Sequence, residues 1–308
     1  MTILVTLGPL LAALIIGFSW NIKGLSTQVI DTALKWLTFA ILALIGYSIG
    51  SLDDLQTKLY QAGFISLVLF AFIVLFNIGF LTVSGKYLNS PASRQDASPE
   101  KVSIVLNWAT FSDSVQTIIW VVVGCVVGYF SKGFFEHADA LVAWMLYLLL
   151  FLVGQQLMRA NYRLRSLFIN VQGLIICFVT MLSTLLAGAV GAYVIDLPIY
   201  QGLAVVSGFG WYSLSGIILS DLGYPLLGTT AFLLDIGREV FALVMIPLLS
   251  RINNHCGVGV SGATAMDFTL PMLGKFHGAT IIPTAIASGF LLSIFVPILI
   301  PLFMSFSA

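Results

Sequence analysis

Eight apolar runs dominate this sequence, at roughly 3–20, 31–51, 62–84, 108–130, 139–158, 168–194, 226–250 and 279–305. Each is long enough to cross the ~30 Å hydrocarbon core of a bilayer as an α-helix. The runs are continuously apolar rather than alternating, which argues against a β-barrel. Composition points the same way. Of 308 residues, 59% are hydrophobic and only 8% charged, against roughly 25% charged in an ordinary soluble domain. A soluble chain this apolar could not cover its surface. Thirteen Lys+Arg against thirteen Asp+Glu leave no basic field, so a nucleic-acid partner is not expected. The expected fold is therefore an all-α polytopic membrane protein. It is a single integral membrane domain over 1–308, with the lipid bilayer as its surroundings. The first run has only Met1 and Thr2 before it and no small-residue cleavage site after it, so it is expected to stay as a span rather than be removed as a signal peptide. Cys125, Cys177 and Cys256 have no metal or disulfide spacing and read as packing residues.

Two further segments are apolar enough to enter the membrane but do not fit the plain pattern. One, 202–222, contains Ser207-Gly-Phe-Gly-Trp-Tyr-Ser-Leu-Ser-Gly216; the other, 257–275, contains Gly257-Val-Gly-Val-Ser-Gly-Ala-Thr-Ala-Met-Asp-Phe-Thr-Leu-Pro271. Gly and Pro weaken helices. Backbone groups bared in lipid cost several kcal/mol each unless protein or trapped water satisfies them, so broken helices line cavities inside a protein. The competing reading is two unbroken helices packed closely on small residues. The preferred count is eight full spans plus two broken or re-entrant segments, or ten spans if both cross. The breaks are expected near Gly208–Gly210 and Gly262–Pro271, and the two segments are expected to meet.

A faint internal repeat accompanies these spans. Trp36 and Gly46 correspond to Trp144 and Gly154, Gly17-Phe18 to Gly128-Tyr129, and Gly63 to Gly173, with shifts of about 110 residues. Three spans separate the copies, so the second would be inverted, a common plan of secondary transporters. Chance similarity between apolar helices competes with this reading. The expected units are 1–84 and 103–200, divided by a polar loop at 85–102 and followed by a site-bearing region at 201–308. Basic residues set the orientation. With the N-terminus outside, the cytoplasmic loops hold Lys23, Lys35, Lys86, Arg94, Lys101, Arg159, Arg163 and Arg165, against Lys58 and Lys132 outside. Both termini are then expected outside.

Charges within the spans cluster. Asp235, Arg238 and Glu239 lie in 226–250, and Asp267 lies in the second odd segment. A charge at mid-membrane costs about 2.5–3.5 kcal/mol on the insertion scale, so the four require a reason. Spacing of i, i+3 and i+4 places the first three on one helical face. A structural ion pair between Asp235 and Arg238 is the bland account of those two. It leaves Glu239 and Asp267 without an obvious cation, and two carboxylates facing one cavity would bind a cation or share a proton. Trp211 and Tyr212 either line that cavity or only pack.

Enzymatic signatures are absent. Gly208-Phe-Gly-Trp-Tyr-Ser213 lacks the third glycine of a dinucleotide fingerprint and sits in an apolar membrane segment. No zinc-protease, hydrolase-elbow or nucleotide-binding motif occurs. His137, His255 and His277 are scattered near span ends and read as interfacial rather than as metal ligands. No cofactor, metal or enzymatic activity is expected.

The run Ser207-Gly-Phe-Gly-Trp-Tyr-Ser-Leu-Ser-Gly-Ile217, the motif Asp235-x-x-Arg238-Glu239 and the run Gly262-Ala-Thr-Ala-Met-Asp-Phe-Thr-Leu-Pro271 resemble the bacterial lysine exporter family (LysO type). Leu152-Val-Gly-Gln155 and Asp196-Leu-Pro198 extend the likeness along the chain. The resemblance implies an inner-membrane exporter of L-lysine with Glu239 and Asp267 as an essential intramembrane acidic pair. Lysine carries one net positive charge, and exporting it against an inside-negative potential costs ~2.3 kcal/mol per 100 mV. Exchange with an incoming proton cancels that charge movement. The lysine carboxylate would need a donor, from half-helix N–H groups near Gly208–Gly216, including Gly210, Ser213 and Ser215, or near Gly262–Thr264, or from Arg238. Three alternatives stay open: a carrier of another cationic amino acid or a Na⁺-coupled solute, a cation channel, and a membrane sensor that transports nothing.

Overall fold

The computed structural model describes residues 15–20, 26–51, 55–88, 108–131, 138–159 and 170–307, together with 9, 12 and 13. The expected loop charges Lys23, Arg94, Lys101, Lys132, Arg163 and Arg165 lie outside these residues. No strand occurs among the described residues. Helix follows the apolar runs closely: α1 spans Thr27–Gly50, α2 Leu55–Leu88, α3 Trp108–Phe130, α4 Ala138–Arg159 and α5 Val171–Val194. Two short helices follow, α6 at Ile199–Val206 and α7 at Tyr212–Asp221, and then the long α8 at Pro225–Leu249. The second odd segment consists of α9 at Asn254–Ser261, a 3₁₀ turn at Gly262–Met266 and α10 at Leu270–His277, before the closing α11 at Ile282–Met304.

Three of these helices, α2, α5 and α11, are long and apolar enough to cross a membrane. Shorter apolar stretches occur at Ile118–Phe130 and Trp144–Gln155. Helix α8 has the length, with 25 residues, but carries Asp235, Arg238 and Glu239 within it. The molecule is an all-α, multi-pass membrane protein. Large apolar side chains such as Leu67, Leu75, Trp144 and Leu182 point outward, as a lipid-facing surface requires. Helices α7, α8 and α11 carry most of the buried residues at the centre.

With lipid outside, helices gain little from burying apolar surface against one another, and small residues that permit close approach take over. Helices α1 and α3 meet this way. Gly46 and Gly50 on α1 face the backbone of Val121 and Cys125, while Gly124 and Gly128 on α3 face the carbonyls of Ala43 and Tyr47. Polar groups inside the bundle find partners: Asn77 on α2 accepts hydrogen bonds from Ser183 at 2.6 Å and Thr184 at 3.1 Å on α5. Gln155 on α4 donates to the carbonyls of Gly17 and Trp20.

Both expected interruptions are present. Between α6 and α7 the chain passes through Phe209 at φ 49° and Gly210 at φ 96°. The conformation is unfavourable for Phe209, by on the order of 1–3 kcal/mol, and tertiary contacts hold it. The second interruption begins at Gly262, at φ 65°. The breaks touch: the Ala263 N–H donates to the Phe209 carbonyl at 2.9 Å. A Cβ at position 262 would lie 2.2 Å from that oxygen, so only glycine lets the segments cross here.

Two expectations need correction. His255 and His277 are packed inside the protein rather than displayed on its surface; they are 0% and 3% exposed. The His255 ring pairs with Ser84 at 2.9 Å and Gln172 at 2.8 Å, and the His277 ring with Asn254 at 2.9 Å. Imidazoles with polar partners are tolerated inside a bundle, although Nε2 of His277 has no hydrogen-bond partner among the described residues. His137 lies outside the described residues. Lys35 is not a loop residue either, since it sits well inside α1.

The glycine seam yields a direct test. Gly124→Val would place a side chain 1.9 Å from the Ala43 carbonyl and must prise α1 from α3. A stability loss of about 1–3 kcal/mol is expected, read as a lower thermal unfolding midpoint in detergent. Gly63→Ala is the control, because nothing lies within 4 Å of a Cβ there; it should leave the midpoint unchanged or raise it slightly.

Candidate functional site

Helix α8 supplies the two groups that hold the breaks. One carboxylate oxygen of Asp235 accepts from the Gly210 N–H at 2.8 Å and the other from the Ser215 hydroxyl at 2.6 Å. Gly210 and Ser215 frame the start of α7, where unsatisfied N–H groups and the helix dipole favour a negative charge. One turn further along α8, Arg238 Nε donates to the Val260 carbonyl at 3.1 Å and Nη2 to the Gly259 carbonyl at 3.0 Å. Those carbonyls belong to the last turn of α9, where a cation is favoured. Both side chains are buried, Asp235 at 0% and Arg238 at 2% exposure.

This arrangement revises the ion-pair expectation. Asp235 takes its hydrogen bonds from the first break, and Arg238 gives its hydrogen bonds to the helix before the second. Neither uses the other as a hydrogen-bond partner, although three residues separate them on the helix. Gly208 belongs to the same buried layer, since a Cβ at that position would lie 1.9 Å from the Asp235 carboxylate.

Above this layer lies a cavity of about 520 Å³, within the usual range for small-molecule sites of roughly 300–1,000 Å³. Its walls come from the start of α7, both breaks, α8, α11 and the inner faces of α1 and α4. Of the residues expected from sequence, Gly210, Trp211, Tyr212, Ser213, Thr264, Glu239 and Asp267 line it. Asp235, Arg238, Gly208 and Ser215 do not; they sit behind the wall and hold it. The structure thus divides the expected set into lining and scaffold.

Glu239 reaches the cavity from α8, one residue past Arg238, and is 2% exposed. Asp267 ends the 3₁₀ turn at φ −138° and ψ −82°. Its carboxylate accepts from the N–H of Phe268. The Thr264 carbonyl fixes this turn by accepting from the Asp267 and Thr269 N–H groups and the Thr269 hydroxyl. Two carboxylates from separate elements therefore border one space.

Sequence reasoning missed the contribution of α1. Leu34, Lys35, Thr38 and Phe39 line the cavity, and Lys35 Nζ lies 5.6 Å from the centre of the Phe39 ring. A signal was available: Lys35 and Thr38, spaced i and i+3 in an otherwise apolar run, share one face. Ser293 of α11, also missed, completes the polar lining. Among the described residues no cluster of three His, Cys, Asp or Glu could hold a metal ion.

The model of a family described as Lysine exporter LysO matches residues 118–304. The Escherichia coli (strain K12) protein described as "Lysine exporter LysO" is 37% identical over 296 residues, covering 96% of this chain and 97% of that protein. A "Putative lysine exporter" of Haemophilus influenzae (strain ATCC 51907 / DSM 11121 / KW20 / Rd) is 37% identical over 186 residues, 60% of this chain and 95% of its own length. No solved structure matches.

The scaffold can be tested apart from the cavity. Asp235→Ala leaves the Gly210 N–H and the Ser215 hydroxyl buried without an acceptor, at a cost of about 1–3 kcal/mol for each orphaned group. Ser215→Ala leaves one oxygen of the buried Asp235 carboxylate without its donor, a single orphaned group at about 1–3 kcal/mol, and keeps the Gly210 contact. Thermal unfolding in detergent should rank the loss for Asp235→Ala well above that for Ser215→Ala.

Proposed function

The chain belongs to the lysine exporter LysO family, and on that premise we propose that it exports L-lysine across a bacterial inner membrane in exchange for protons. One observation carries the proposal: Glu239 and Asp267, delivered by different elements, line a single cavity where two helix breaks cross. A lysine ammonium and a proton are alternative occupants of such a carboxylate pair. In the outward step the pair holds the ammonium; in the return step it holds a proton. The exchange moves no net charge, so the ~2.3 kcal/mol per 100 mV opposing export of a cation is cancelled.

The breaks suit this role. The first turn of α7 borders the cavity through Trp211, Tyr212 and Ser213. N–H groups at a helix start favour an anion, here the substrate carboxylate. Arg238 is already engaged by the Gly259 and Val260 carbonyls and serves the scaffold. The tryptophan and tyrosine rings give the aliphatic part of the substrate an apolar wall.

The same proposal includes an inverted repeat formed by 1–84 and 103–200, with both termini on the outer face of the membrane. Reciprocal packing supports it. Gly17 in the first copy meets Phe151 in the second, while Gly128 in the second meets Tyr47 in the first. Gly17 and Gly128 correspond in the sequence repeat, and each packs on the second helix of the opposite copy.

Glu239→Gln and Asp267→Asn should each abolish uphill lysine export, while the protein still reaches the membrane. Uphill export by both variants, measured with labelled lysine in cells or vesicles, would remove the pair from the mechanism. Coupling is tested separately in proteoliposomes. Lysine movement should follow an imposed pH gradient and ignore a Na⁺ gradient, and lysine binding should weaken in acid as protons compete for the same oxygens. Movement that follows Na⁺ alone would overturn the proton assignment.

A further inference from the structure

Among the described residues, the charged side chains lining the cavity are Lys35, Glu239 and Asp267: one ammonium and two carboxylates. Free lysine carries the complementary set, two ammonium groups and one carboxylate. These three side chains sum to a formal −1 and the substrate to +1, so each substrate charge can meet an opposite one. An ionised group that loses water on binding is costly when unmatched and less so when an opposite charge meets it. From this match we infer that Lys35 is the charged partner of the substrate α-carboxylate and makes the site selective for an amino acid over a plain diamine. The inference rests on the reading of the cavity as a lysine export site.

Position supports the assignment. Lys35 stands on α1, and Glu239 and Asp267 stand on α8 and at the second break, so the cation comes from a different wall than either carboxylate. A bound amino acid spanning the cavity would have its carboxylate on the α1 side and its ammonium groups toward α8 and the second break. The start of α7 also borders the space and adds uncharged N–H donors. Those donors can bind a neutral carbonyl as well as a carboxylate; an ammonium group distinguishes them by charge. Discrimination between lysine and its uncharged-end analogues therefore falls to Lys35. Phe39, with its ring 5.6 Å from Lys35 Nζ, restrains the side chain on the cavity face of the helix.

The test uses the purified full-length protein in proteoliposomes loaded with unlabelled L-lysine. Counterflow of labelled L-lysine is measured against three competitors: L-lysine, L-lysinamide and 1,5-diaminopentane. In the unsubstituted protein L-lysine should compete far better than either analogue. Lys35→Met should weaken competition by L-lysine by about tenfold to a hundredfold, the loss of one charge-assisted contact. Competition by 1,5-diaminopentane should stay the same or improve, which also shows that the variant is folded. Lys35→Arg should keep most of the discrimination. Unchanged discrimination in Lys35→Met, with lysine counterflow intact, overturns this assignment alone. Tighter lysine binding in Lys35→Met also overturns it, because Lys35 would then be a competitor for the acidic pair. Absence of lysine counterflow in the unsubstituted protein overturns the export reading, and the assignment with it.

Discussion

The architecture depends on two buried hydrogen-bonding groups on one helix. Breaking a helix inside a membrane protein exposes N–H and C=O groups that no water can satisfy. Here the breaks are held by side chains of opposite charge, each placed where the half-helix dipole favours it. Asp235 takes the Gly210 N–H and the Ser215 hydroxyl at the start of α7, and Arg238 takes the carbonyls at the end of α9. Removing either would leave a buried backbone group and an opposite charge uncompensated at once. With both present, the main chain can cross itself at Phe209 and Ala263, beside the cavity that Glu239 and Asp267 line.

This placement separates two kinds of charge that look alike in sequence. Asp235 and Glu239 lie one turn apart on α8, are both acidic and are both almost fully buried. Asp235 is held by neutral donors and faces the crossing. Glu239 lines the cavity. The difference lies in what surrounds each side chain, and only the three-dimensional arrangement supplies it.

Much of the fold was legible because the hydrophobic period and run length are strong signals in a bilayer. Helix bounds such as Trp108–Phe130 and Pro225–Leu249 follow the apolar runs to within a residue or so. The breaks were legible too, because Gly208, Gly210 and Gly262 occur where a lipid-facing helix has little use for glycine. The partners of Asp235 and Arg238 were not legible. Sequence spacing joins residues on one helix, whereas their hydrogen bonds reach other segments, up to 25 residues away along the chain. Lys35 was misplaced for a related reason. A lysine near the start of an apolar run looks like a boundary charge, and only the packing of α1 against the cavity shows its position. His255 and His277 lie near span ends but fold inward, because their partners Ser84, Gln172 and Asn254 come from neighbouring segments.

The glycine seam between α1 and α3 bears on motion. Backbones in direct contact along Gly46, Gly50, Gly124 and Gly128 cannot slide past each other without carbonyl oxygens colliding. These two helices therefore travel as one rigid plank. The opposite wall is pinned to α8 by Asp235 and Arg238 and forms a second solid block. The cavity lies between α1 of this plank and the elements pinned to α8, so a tilt of one against the other would change its width without bending any single helix.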